Sequence, residues 1–103
     1  MESINEFLKE LLVSGDLQTI INKIDGKVFD SHQFIQHFAK RYESEYIEAL
    51  KQCNTKPGQF RCVHSQIAQF LGDNQAQLGI TRGENVISKD VFGNDVPNAS
   101  WTK

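Results

Sequence analysis

The chain has 103 residues, enough for one domain with a core of its own and no more. Hydrophobic residues at 39% and charged residues at 23% exclude wholesale disorder. A formal net charge of -2 excludes a global positive field, so contact with nucleic acid or an acidic membrane must rest on a local basic patch.

The N-terminal stretch carries Glu2 and Glu6 where a signal peptide would carry Lys or Arg, and charge interrupts its apolar residues. No run reaches the ~18 apolar residues of a membrane span. These features predict a cytoplasmic protein with Cys53 and Cys62 as reduced thiols. A disulfide across the loop between them is the alternative.

The first helix is predicted over Ile4–Val13. Ser3 caps it and Glu6 completes a capping box. Ile4, Phe7, Leu8, Leu11 and Leu12 recur at the spacing of one buried helical face. A second, short helix is predicted over Leu17–Ile24, capped by Asp16 and stopped by Gly26. Lys27-Val28-Phe29 reads as a connector.

The longest amphipathic segment runs from Ser31 to Cys53 and predicts one central helix, roughly 35 Å long. Asp30 or Ser31 caps it, and Gln33 can complete a box with Asp30. Ile35, Phe38, Tyr42, Tyr46, Ala49 and Cys53 drift along a single stripe. Asn54-Thr55-Lys56-Pro57-Gly58 breaks the pattern, and Gln59–Leu71 reads as a further helix with Phe60, Val63, Ile67, Phe70 and Leu71 inward.

After Gly79 the texture changes. Glycines punctuate a tail containing Val86, Ile87, Val91 and Phe92, and Phe92-Gly93-Asn94-Asp95-Val96 reads as a hairpin turn. Pro97 predicts an edge strand or irregular structure for the return. Trp101 is expected to pin the C-terminus onto the core. The predicted fold is thus mainly α, a single domain over 1–103. About four helices in 1–78 pack around the central 31–53 helix, and a small hairpin or irregular tail spans 79–103.

Metal and catalytic spacings fail. Cys53, Cys62 and His64 lack a close CxxC pair, and His32 and His37 lie about 140° apart on a helix. Cys62 and His64 would diverge by about 200° on a helix, and no nucleophile elbow is present. Neither a metal nor another cofactor is expected, and no enzymatic activity.

Three functions remain, in order of preference. The first is a non-catalytic protein-interaction module, its partner another protein or a second copy in a homodimer. Its candidate residues are His37, Arg41, Tyr42 and Tyr46 on the central helix, since Tyr and Arg dominate interface hot spots. The second is a DNA-binding module, because helices followed by a Gly-bounded hairpin look like a winged helix in outline. Lys56, Arg61, Arg82 and Lys89 would then meet phosphates. The negative charge and the presence of only three arginines oppose it. A small enzyme using Cys62 and His64 is third.

Overall fold

A computed structural model describes residues 4–54 and 57–103. The cap expected from Ser3 and the phosphate contact expected from Lys56 lie outside the described residues. Among the described residues there are six helices and three strands.

Helix α1 (Ile4–Ser14) buries Ile4, Leu8 and Leu11 along the predicted stripe. Gly15, at φ 88°, turns the chain into α2 (Asp16–Lys23), which buries Leu17, Ile20 and Ile21. Asp16 is not the cap. Gly15 holds that position, and Asp16 sits in the first turn, its amide donating to Ser14 Oγ at 3.3 Å. The connector contains a short strand, β1 (Val28–Asp30), with Phe29 buried.

Helix α3 (Ser31–Arg41) begins with the predicted capping box. Asp30 Oδ1 accepts from the Gln33 amide at 2.9 Å, and Gln33 Oε1 accepts from the Asp30 amide at 3.0 Å. The single central helix over 31–53 does not form. The chain breaks at Tyr42 (φ -120°, ψ 54°) and resumes as α4 (Glu43–Gln52). The reason lies in charge and anchoring. Lys40 and Arg41 close α3 and Glu43 and Glu45 open α4, so each helix end carries the charge its dipole favours. The Tyr42 ring packs at 5.3 Å from Phe7 and 5.5 Å from Phe38, which holds the junction against α1. The break loses little hydrogen bonding, because the Tyr42 amide still donates to Phe38 O and the Tyr46 amide to Tyr42 O.

Helix α5 (Gln59–Asp73) extends two residues past the predicted end, and a single turn, α6 (Gln75–Leu78), follows. Strands β2 (Thr81–Lys89) and β3 (Asp95–Thr102) form the hairpin, and the antiparallel sheet has the order β1-β3-β2. The turn falls at Asp90–Asn94, two residues earlier than predicted, closed by the Asp90 amide on Asn94 O at 2.9 Å. Strand β3 is the middle strand rather than an edge. However, β1 pairs only with Ser100, Trp101 and Thr102, so at Pro97 the side away from β2 has no strand to bond.

Two close packings lock this sheet. The register slips between Arg82 and Asn85, where Ser100 Oγ donates to Glu84 O at 2.6 Å. A side chain on Gly83 would sit 2.7 Å from that hydroxyl, so the bulge needs glycine for space. Trp101 is 1% exposed, and its indole Nε1 donates to Ser31 Oγ at 3.0 Å.

Cys53, at the end of α4, and Cys62, in the first turns of α5, are joined by a disulfide, with Cα atoms 6.6 Å apart. The expectation of two reduced thiols is therefore corrected. The end of α4 and the first turns of α5 stand with these two Cα atoms within bonding range.

Ser31→Ala is expected to cost about 1–3 kcal/mol, because it strands a buried indole N–H. Urea unfolding followed by Trp101 fluorescence measures this. A loss under about 0.5 kcal/mol, typical of a surface substitution, would show that Ser31 does not hold the indole. Reduction of the disulfide is expected to lower stability by about 2–3 kcal/mol, from the short loop it closes. Urea midpoints with and without a phosphine reductant give the value, and unchanged midpoints would show that the bond contributes no constraint.

Candidate functional site

Four segments meet around a cavity of about 850 Å3: the start of α3, the start of α5, the hairpin turn and the first half of β3. Its rim is aromatic. Phe60 and Phe92 pack edge to face with centroids 4.8 Å apart, yet remain 39% and 62% exposed. Val91 stands beside them, also exposed. The position of Phe60 follows from its place at the start of α5, where the core is not yet thick enough to cover it.

Deeper in, two histidines line the wall. His64 Nε2 lies 2.6 Å from the Tyr46 hydroxyl, and its ring is stacked on Tyr46 and touched edge-on by Phe60. Burial pushes the Tyr46 phenol up to about 12. Burial, and then the repulsion of His32, push His64 below its ordinary range, against a weaker pull from Asp90. Both groups are therefore neutral near pH 7. The two share one hydrogen bond, and with the phenol O–H donating to Nε2 the imidazole proton sits on Nδ1.

His32 is committed to structure. Its Nδ1 lies 2.7 Å from Ser88 Oγ, and its amide donates to Asn98 Oδ1 at 3.0 Å. Asn98 Nδ2 in turn donates to Ser88 Oγ at 3.0 Å and to Val86 O at 3.2 Å. A serine against a histidine resembles a nucleophile and its base. Yet Ser88 does not line the cavity, and among the described residues no third group orients the ring. Asp90 Oδ1 accepts from the amides of Phe92 and Asn94, both at 2.9 Å. The bond from Asn94 is the main reason that its carboxyl is held below the usual carboxylate range, with the bond from Phe92 adding to it.

The residues predicted for an interaction surface divide: Arg41 Nε donates to the Tyr42 hydroxyl at 3.2 Å with His37 beside Arg41, and Tyr46 stands apart. Tyr46 is buried against His64, and Tyr42 is half-buried between α1 and α3. His37 and Arg41 are exposed and share a shallow cleft with Lys23 and Lys40. The described residues predicted for phosphate contact are also separated. Arg61 lines the cavity, whereas the Arg82 guanidinium lies 5.6 Å over the Trp101 ring and Lys89 pairs with Asp95 at 2.8 Å. Arg82 and Lys89 stand near opposite ends of β2, about 23 Å apart at strand rise. Cys62 Sγ is bonded to Cys53, and His64 faces Tyr46, so the two do not form a reactive pair. Among the described residues no three His, Cys, Asp or Glu side chains gather as a metal would require.

Ser88, Asn98 and the rim role of Phe60 escaped the sequence reading. The available signal was Val91-Phe92 inside a polar turn, where apolar side chains have no folding task.

His64 gives a pH dependence whose sign follows from its lowered pKa. The unfolded chain takes up the proton near the ordinary value of about 6.5, and the folded one only below it. The stability contribution is therefore complete above that value and is lost as pH falls toward the folded-state pKa. His64→Gln keeps an acceptor for Tyr46 and is expected to flatten the decline in urea midpoint between about pH 7 and about pH 5. An unaltered slope would assign the decline to other groups.

The chain matches no protein-family model, no curated protein and no solved structure.

Proposed function

We propose that the protein is a non-catalytic binding module that docks a segment of another polypeptide in the groove between α5 and the hairpin. One observation carries this reading. Of the eight large apolar side chains exposed among the described residues, five are Phe60, Val86, Ile87, Val91 and Phe92. Three of these five line the cavity. Scattered apolar exposure needs no explanation, but a cluster around a concave site marks a contact surface. His32, His64, Asp90 and Asn98 of the wall are engaged in hydrogen bonds within the fold, which supports recognition rather than reaction.

This moves the interaction site from the α3–α4 flank to the α5–hairpin side. It keeps both kinds of protein partner open, and self-association would appear as a concentration-dependent mass in sedimentation equilibrium. No helix among the described residues is long and apolar enough to cross a membrane. As to location, a Cys53–Cys62 disulfide persists in oxidising compartments, which weighs against the cytoplasmic expectation.

The winged-helix reading is the second. Element order favours it: a hairpin follows α5, and β1 joins the far side of β3. The engagement of Arg82 and Lys89 within the fold weighs against it.

Peptides selected from a displayed random library test the first reading. The expected winners carry an aromatic or large aliphatic residue and shift the backbone amides of Phe60, Val91 and Phe92. Phe92→Ser should weaken them at least tenfold, as for a hot-spot residue, without changing the melting temperature. Peptides that instead shift His37 and Arg41, or that ignore the substitution, would overturn it. Binding to random duplex DNA that weakens steeply with salt would promote the second reading.

A further inference from the structure

We infer that the groove selects a segment in which an aromatic side chain lies beside a carboxylate, an acidic peptide whose charge pairs with Arg61. This rests on the docking reading above and adds the chemistry of the occupant. Four ionisable groups line the cavity: His32, His64, Arg61 and Asp90. Three of them are committed. His64 holds the Tyr46 hydroxyl, His32 holds Ser88, and Asp90 holds the amides of its own turn. Arg61 is different. It is exposed, and among the described residues no carboxylate lies within ion-pair distance of it.

The groove thus offers one uncommitted cation close in sequence to an aromatic rim residue, since Arg61 follows Phe60 directly. An aromatic side chain entering the cavity would add to the Phe60–Phe92 edge-to-face pair, which supplies most of the affinity through apolar burial. Its neighbouring carboxylate would meet the guanidinium, which supplies the selection. The competing chemistry is a cation on Asp90 and the ring faces. Asp90 is less suited to it, because its Oδ1 already accepts two amides. An exposed ion pair contributes little, so the discrimination is modest.

Three probes share one side chain and differ in charge: N-acetylphenylalanine (anion), N-acetylphenylalaninamide (neutral) and phenylalaninamide (cation). Each is titrated at millimolar concentration into the oxidised, isotope-labelled 103-residue chain, and amide shifts are followed. The anion is expected to bind about three- to fivefold tighter than the neutral probe, the range of an exposed ion pair, and the cation weakest. Arg61→Gln should remove this order and Arg61→Lys should keep it. Because Arg61 is exposed, both variants should fold, and the melting temperature checks this. Equal binding of all three, or an order that survives Arg61→Gln, would overturn the charge selection and leave the docking reading intact. Tightest binding of the cation would also overturn it. If no probe moves Phe60, Val91 or Phe92, the docking reading falls as well.

Discussion

The joint between the two halves of the chain is the first turn of α3. Ser31 and His32 are consecutive, and they face different tasks. Ser31 Oγ accepts a hydrogen bond from the Trp101 indole N–H in the core, while the His32 amide and ring reach Asn98 and Ser88 on the hairpin. Strand β1 is only three residues long, and the sheet is held elsewhere by the Arg82 amide on Gln75 Oε1 at 2.8 Å and by Lys103 Nζ on Ile24 O. Asp30 ends that strand and caps the helix through its box with Gln33, so the angle between sheet and helix is set by one residue doing both. The hairpin wall of the cavity depends on this joint, together with the Phe60–Phe92 contact that ties the turn to α5.

The start of α5 is fixed from the other side, and here the break at Tyr42 matters. A straight helix from Ser31 would have kept its whole apolar stripe on one line. Breaking it lets α4 pack on α5 and places the Tyr46 hydroxyl on His64. The Cys53–Cys62 disulfide ties the same two helices one step further along. Two side-chain links thus hold the segment that carries Phe60, and a rim residue can stay half exposed without its helix fraying. Trp101 and the Tyr46–His64 pair are buried polar contacts whose partners are satisfied, which is the condition under which such contacts specify a fold rather than weaken it.

Much of the framework was legible in the sequence because it rests on local chemistry. The α1 stripe, the Asp30–Gln33 box, the α5 periodicity and the Gly93 turn each follow from a few adjacent residues. The break at Tyr42 was not read, because the apolar period runs through it unchanged. Its trace was electrostatic: Lys40-Arg41 against Glu43-Ser44-Glu45, a helix end next to a helix start. The disulfide is only the alternative on the sequence, since spacing alone does not tell a thiol pair from a cystine. The site itself was largely illegible. Residues 32, 64, 88, 90 and 98 come from α3, α5, β2, the hairpin turn and β3, and only the folded chain brings them together. His32 and His64 were visible as histidines, but their partners, Ser88 and Tyr46, lie 56 and 18 positions away.

The same separation supports the proposed binding reading of the cavity. His64 spends Nε2 on a phenol that burial has made a poorer acid, so that pair has no reason to pass its proton on. His32 spends Nδ1 on a serine that lies outside the cavity. Cys62, the strongest nucleophile in the chain by type, is consumed in the disulfide. What remains open to a visitor is apolar rim and one guanidinium. A surface of that composition gains free energy by covering carbon and matching a charge, and both are properties of a docked segment rather than of a reacting bond.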